Sequence, residues 1–113
     1  MTGATELKTI TSLVVEGAKA RFGEKLSRVL LYGSYARGDC DEQSDIDIMI
    51  LADIKAEEAD RVDMELMRLA SRLSLEHDIH LSLTIKDTHT FDSWTDIVPF
   101  YRNVSREGVS LYA

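Results

Sequence analysis

One cysteine, one proline and one tryptophan stand among 113 residues. Cys40 alone closes no intrachain disulfide and builds no thiolate zinc cluster. A reducing, cytoplasmic setting is therefore the expected one. Pro99 is equally alone, so no proline-rich linker divides the chain, and no repeat or low-complexity segment is present. Positive charge is also scarce, with 13 Lys and Arg against 20 Asp and Glu and a formal net charge of −7. Phosphate backbones are gripped mainly by Lys and Arg, which argues against an extended nucleic-acid footprint. A single nucleotide in a cleft is still permitted where a metal cation neutralises it. The longest uninterrupted aliphatic run, Ile48 to Ala52, is far too short to span a bilayer. The start, MTGATELKTI, has no basic segment followed by an apolar stretch, so no signal peptide is expected.

What is present is ordinary for a globular domain: 44% hydrophobic and 29% charged residues. The length fits one domain over residues 1–113 with one modest core. Leu7, Ile10, Val14, Ala18 and Phe22 recur at helical spacing, and Gly23 follows as a C-cap. Val29 to Tyr32 reads as a short buried strand. Ile46, Ile48 and Ile50 alternate with Asp45, Asp47 and Met49 in a second strand with unlike faces. Asp53 is an N-cap candidate for a long helix from Ile54 to His77, with Ala59, Val62, Leu66, Leu69 and Leu73 as its apolar stripe. Ile79, Leu81, Leu83 and Ile85 alternate with His80, Ser82 and Thr84 in a third strand. A short helix is expected after Asp87, another over Phe100 to Glu107, and a last strand over Val109 to Tyr112. The order α-β-β-α-β-α-α-β predicts an α+β fold, a mixed sheet with helices packed on it.

The chemistry concentrates in LLYGSYARGDCDEQSDIDIMIL, Leu30 to Leu51. Strand residues i and i+2 point to one side, so Asp45 and Asp47 share a face while the isoleucines take the core. Neighbouring carboxylates repel unless something positive lies between them. Mg²⁺ suits them, because it takes oxygen ligands and keeps water and substrate phosphates for the rest of its shell. Two such ions can activate an attacking oxygen and stabilise a leaving one. Gly33 lets the backbone approach a ligand closely. The turn after it and the Ser34 hydroxyl supply phosphate donors, and Arg37 adds a planar cation. Gly33 and Gly38 have the spacing of a phosphate-binding P-loop, but Asp39-Cys40 stands where Lys and Ser/Thr are required, so that motif is rejected. Taken singly, a D-x-D is commonly a solvated face and a Gly-Ser a turn. The combination is what carries information: a strand, Gly-Ser, an intervening loop, then D-x-D in a strand.

GSYARGDCDEQSDIDIMI resembles the signature of the minimal nucleotidyltransferases of the DNA polymerase β-like superfamily, with Gly33, Ser34, Ala36, Arg37, Gly38, Ser44, Asp45 and Asp47 on motif positions. The closing PFYRNVSREGVSLYA is similar to the end of these small proteins. The resemblance implies a nucleoside triphosphate donor, usually ATP, with Mg²⁺ ligated by Asp45 and Asp47 and triphosphate held through Gly33 and Ser34. It implies transfer of a nucleoside monophosphate to a hydroxyl. Many such proteins are paired as antitoxins with a HEPN-domain ribonuclease toxin and attach AMP to a toxin tyrosine. The family also places a third carboxylate on the strand beside the D-x-D strand. Asp78, His80 and Ser82 share a face there by the period-2 rule, and Asp78 is its carboxylate. Asp78 is therefore the expected third acid and metal ligand, with His80 a filler of the polar face or the residue standing in the acid's place. Two alternatives accompany the enzyme. One is a non-catalytic antitoxin that masks its partner; the other is a small-molecule nucleotidyltransferase, for which 113 residues leave no separate substrate domain. The acceptor surface then comes from a partner chain or from a second copy.

Overall fold

The computed structural model describes residues 3–37 and 45–113, with backbone only at Ala4, Ser34 and Arg37. Helix α1 (Ala4–Phe22) runs into a 3-10 turn at Gly23–Lys25 and then into strand β1 (Leu26–Tyr32). The short helix α2 (Ser34–Arg37) follows. Strand β2 (Ile46–Ala52), short helix α3 (Ala56–Ala59), helix α4 (Met64–His77) and strand β3 (Leu81–Asp87) come next. Helices α5 (Thr88–Trp94) and α6 (Pro99–Glu107) and strand β4 (Val109–Tyr112) complete the chain. The sheet order is β3-β2-β1-β4, with β2 and β3 parallel and the other two pairs antiparallel. This is the mixed α+β sheet expected from the sequence. The main elements fall in the anticipated order, with α2 and α3 as short additions.

Each face of the sheet buries its own core. On one side Ile46, Ile48 and Ile50 of β2 join Val29 and Leu31 of β1, Ile10, Val14 and Ala18 of α1, and Leu66 and Leu73 of α4. On the other side Leu30, Met49 and Leu51 pack with Phe91 of α5 and Val104 of α6. Met49 and Leu51 are fully buried. The carboxylate-bearing face is thus apolar along most of its length, and only its start at Asp45 and Asp47 is polar. Strand β2 has helices on both sides, which makes it the centre of a three-layer arrangement.

The expected long helix from Ile54 divides. The backbone leaves the helix after Ala59 and resumes at Met64, where the Asp63 carboxylate accepts the Leu66 N–H at 3.1 Å. A good N-cap inside a periodic segment competes with helix continuation, and Val62 at the break is 68% exposed. The cap of the long helix is therefore Asp63 and not Asp53. At its other end, α4 closes on Asp78, whose φ of 51° and ψ of 52° are left-handed. Asp78 N–H donates to the Ser74 carbonyl there. The third strand begins at Leu81, so Asp78 and Ile79 belong to the turn and not to the strand. Asp87 caps α5 as the sequence suggests, its carboxylate accepting the Thr90 N–H at 2.8 Å.

These assignments predict that Asp63→Ala lowers stability by about 1–2 kcal/mol through loss of the cap. Asp53→Ala changes it by less than about 0.5 kcal/mol. Urea denaturation of the two variants measures this. Equal losses would restore Asp53 as the cap.

Candidate active site

The site forms where β1 ends and β2 begins. The antiparallel register sets Tyr32 against Asp47 and Leu30 against Met49. Partners in such a register place their side chains on one face. Gly33 follows Tyr32 with φ of +78°, a conformation that L side chains rarely adopt. A methyl group built on Gly33 would lie 2.7 Å from Asp47 Oδ2. Glycine is thus required by the backbone angle, and any larger residue would also have to push the Asp47 carboxylate aside. The chain then turns into α2, where the Ala36 N–H donates to the Gly33 carbonyl at 3.1 Å.

Asp45 and Asp47 stand two residues apart at the open end of β2, Asp45 exposed and Asp47 half-buried. Burial pushes the Asp47 carboxyl above the usual carboxylate range; the charge of Asp45 adds to this, and His80 opposes it. A raised folded-state pKa means that ionisation of Asp47 costs folding free energy. Its contribution to stability is full below the unfolded-state value and is lost as pH rises through the folded one. The site therefore carries negative charge that a cation would relieve.

On β3, the parallel register sets Ser82 beside Asp47 and Thr84 beside Met49. His80 precedes the strand, its carbonyl accepting the Ile46 N–H at 2.9 Å. Its Nδ1 lies 3.2 Å from Asp45 Oδ1, with both side chains largely exposed. Tyr32 Oη lies 3.4 Å from Thr84 Oγ1. Since β2 lies between β1 and β3, the Tyr32 ring crosses over β2. Burial raises the Tyr32 phenol, a hydrogen bond with Thr84 opposes that, and the nearby Asp47 charge adds to it.

The structure thus brings together Gly33, Asp45 and Asp47 as expected. Ser34 and Arg37 occupy the ends of α2, directly after Gly33; their side chains lie outside the described residues. The motif positions Gly38 and Ser44 and the loop residues Asp39, Cys40, Asp41 and Glu42 also lie outside them. Asp78 is a correction. It is an exposed helix cap in the left-handed region, not a strand residue, and it is His80 that reaches Asp45. The period-2 rule placed Asp78 wrongly because it presumed strand geometry where a helix end needed a short polar residue tolerant of positive φ. Tyr35, inside the signature, packs against the first core. Sequence reasoning also passed over Tyr32, although it directly precedes Gly33.

Two carboxylates with only oxygen donors fit a hard divalent cation. Among the described residues no group of three His, Cys, Asp or Glu is placed to hold a metal. An ion on Asp45 and Asp47 would therefore complete its shell with water and phosphate oxygens, the usual habit of Mg²⁺. No helix among the described residues is long and apolar enough to cross a membrane.

Comparison with known proteins agrees with this geometry. A family model described as a nucleotidyltransferase domain matches residues 12–104. The candidate protein adenylyltransferase MJ0141 of Methanocaldococcus jannaschii is 42% identical over 78 residues, 69% of this chain and 77% of that protein. A second from the same organism, MJ0604, is 32% identical over 102 residues, 87% of this chain and 90% of that protein. Among solved structures, a toxin-antitoxin crystal structure with AMP-PNP superposes with a TM-score of 0.56 at 25% identity, over 89% of this chain and 72% of that one. The chain belongs to the nucleotidyltransferase domain family, and the class of reaction is nucleotidyl transfer.

Gly33→Ala is predicted to abolish transfer, because the new methyl group must displace Asp47 or untwist the turn. It also lowers stability by about 1–3 kcal/mol. Activity and melting of this variant test both points; an active Gly33→Ala protein would separate the turn from the site.

Proposed function

We propose that this protein transfers AMP from ATP, with Mg²⁺, to a tyrosine hydroxyl of a HEPN-domain toxin, and so acts as its antitoxin. The observation that carries the reading is that the Gly33 turn lies beside the Asp47 carboxylate, close enough that a methyl group built on Gly33 would meet Oδ2 at 2.7 Å. Phosphates held at the turn after Gly33 would lie against whatever cation Asp45 and Asp47 bind. The two relatives named as protein adenylyltransferases support a protein acceptor. The superposed toxin-antitoxin with AMP-PNP supports an adenine nucleotide and a toxin partner.

In this reading Asp45 and Asp47 would hold up to two Mg²⁺ ions, which would supply charge neutralisation of the triphosphate and polarisation of its α-phosphorus. The Gly33 turn, the Ser34 hydroxyl and Arg37 orient the triphosphate tail. The tyrosine oxygen forms a bond to the α-phosphorus, the bond from that phosphorus to the bridging oxygen breaks, and pyrophosphate leaves. The phenol proton passes to water. Asp78, an exposed cap at the end of α4, is not assigned a catalytic role.

The test incubates the protein with ATP, Mg²⁺ and its HEPN-type partner and reads partner mass. One or more AMP additions on tyrosine are expected, and Asp45→Asn should slow them by about 10²-fold or more while remaining folded. A partner bound and silenced with no mass change would establish masking instead. The lack of a carboxylate at His80 and Ser82 is what would favour that outcome.

A further inference from the structure

Beyond the phosphate end of the site, the same face carries an aromatic edge that the fold does not use up. Tyr32 lies over β2 next to Asp47, held at its hydroxyl by Thr84. The Phe100 ring meets the Tyr32 ring edge-on, with centroids 5.8 Å apart and planes at 84°. The Tyr101 ring holds Phe100 from another side at 5.5 Å. Even so, Phe100 is 46% exposed, whereas Phe91 in the same layer is 1% exposed. Pro99 starts α6 immediately before it and fixes the backbone there. Phe100 is therefore a phenyl ring that is clamped in place but half uncovered. It packs directly on Tyr32, the residue paired with Asp47.

We infer that Phe100 is the stacking platform for the nucleobase of the bound nucleotide, an inference that rests on the nucleotide reading of the Asp45/Asp47 cleft. A nucleotide with its triphosphate at Gly33 and Asp47 carries its base beyond the phosphates, where neighbouring side chains of this face can meet it. Tyr32 is paired with Asp47, and Phe100 packs edge-on against Tyr32 with ring surface left uncovered. Nucleobases stack on such rings whatever their hydrogen-bonding edges. A ring already fixed by two neighbours loses little conformational freedom in accepting one. Phe100 is thus a binding residue for the base, and it takes no part in holding phosphate or metal.

The experiment titrates the intact protein by calorimetry with two probes, AMP-PNP and inorganic triphosphate, each with Mg²⁺. Phe100→Ala and Phe100→Leu should weaken AMP-PNP roughly tenfold or more. Both should leave triphosphate binding unchanged, since it has no base, and Phe100→Trp should retain AMP-PNP affinity. Full AMP-PNP affinity in Phe100→Ala overturns the inference and leaves the ring as a contact for protein. Equal weakening of both probes overturns it too, by showing a structural role. Wild-type protein that binds neither probe would instead overturn the nucleotide reading itself.

Discussion

The register between β1 and β2 is the constraint on which the site depends. It sets Tyr32 opposite Asp47 and leaves Gly33 as the first residue past the pairing. There the positive φ turns the chain beside the Asp47 carboxylate, leaving no free room for a side chain between them. A slip of one residue would carry every side chain of β2 to the opposite face and put the carboxylates into the isoleucine core. The core therefore enforces the site. Ile46, Ile48 and Ile50 are fully buried against α1 and α4, and they hold Asp45 and Asp47 outward.

The other face adds a second requirement. Met49 and Leu51 follow Asp47 on the same side of β2 and are sealed by Phe91 and Val104. The polar stretch is thus confined to the strand's first turns of pleat, where β2 meets the α2 side of the molecule. Burying Asp47 halfway raises its pKa, and Asp45 adds to the effect. This is a destabilising arrangement by itself, the kind that persists at sites built for a charged ligand. His80, reaching Asp45 from the neighbouring chain segment, offsets part of the charge. Being an exposed pair, it adds little to stability.

Much of this was legible in the sequence, for physical reasons that differ by element. The Ile-x-Ile-x-Ile pattern with interleaved aspartates could only be a strand with unlike faces, and Gly33 before Ser34 marked the turn. The break in the long helix was not legible, because Val62 completes an apolar stripe by spacing although it is 68% exposed in the fold. Asp63 was one of several acids able to cap, and only tertiary packing, including its ion pair with Arg21, selects it. Asp78 was misplaced for a related reason: alternation cannot mark where a helix ends and a strand starts. The second core and the packing of Phe100 on Tyr32 depend on how α5 and α6 fold back, and no local pattern encodes that.

The central claim is that the Asp45 and Asp47 carboxylates crowd each other at the open end of β2 in a way that a divalent cation would relieve. Thermal melting at pH 7 of the wild type and Asp47→Asn, each with and without Mg²⁺ and AMP-PNP, tests it most directly. Because ionised Asp47 costs folding free energy above its raised pKa, Asp47→Asn should melt above the ligand-free wild type. The wild type should then rise with Mg²⁺ and nucleotide while Asp47→Asn does not. An Asp47→Asn protein that melts below the wild type without ligand, yet gains as much from Mg²⁺ and nucleotide, would contradict the account.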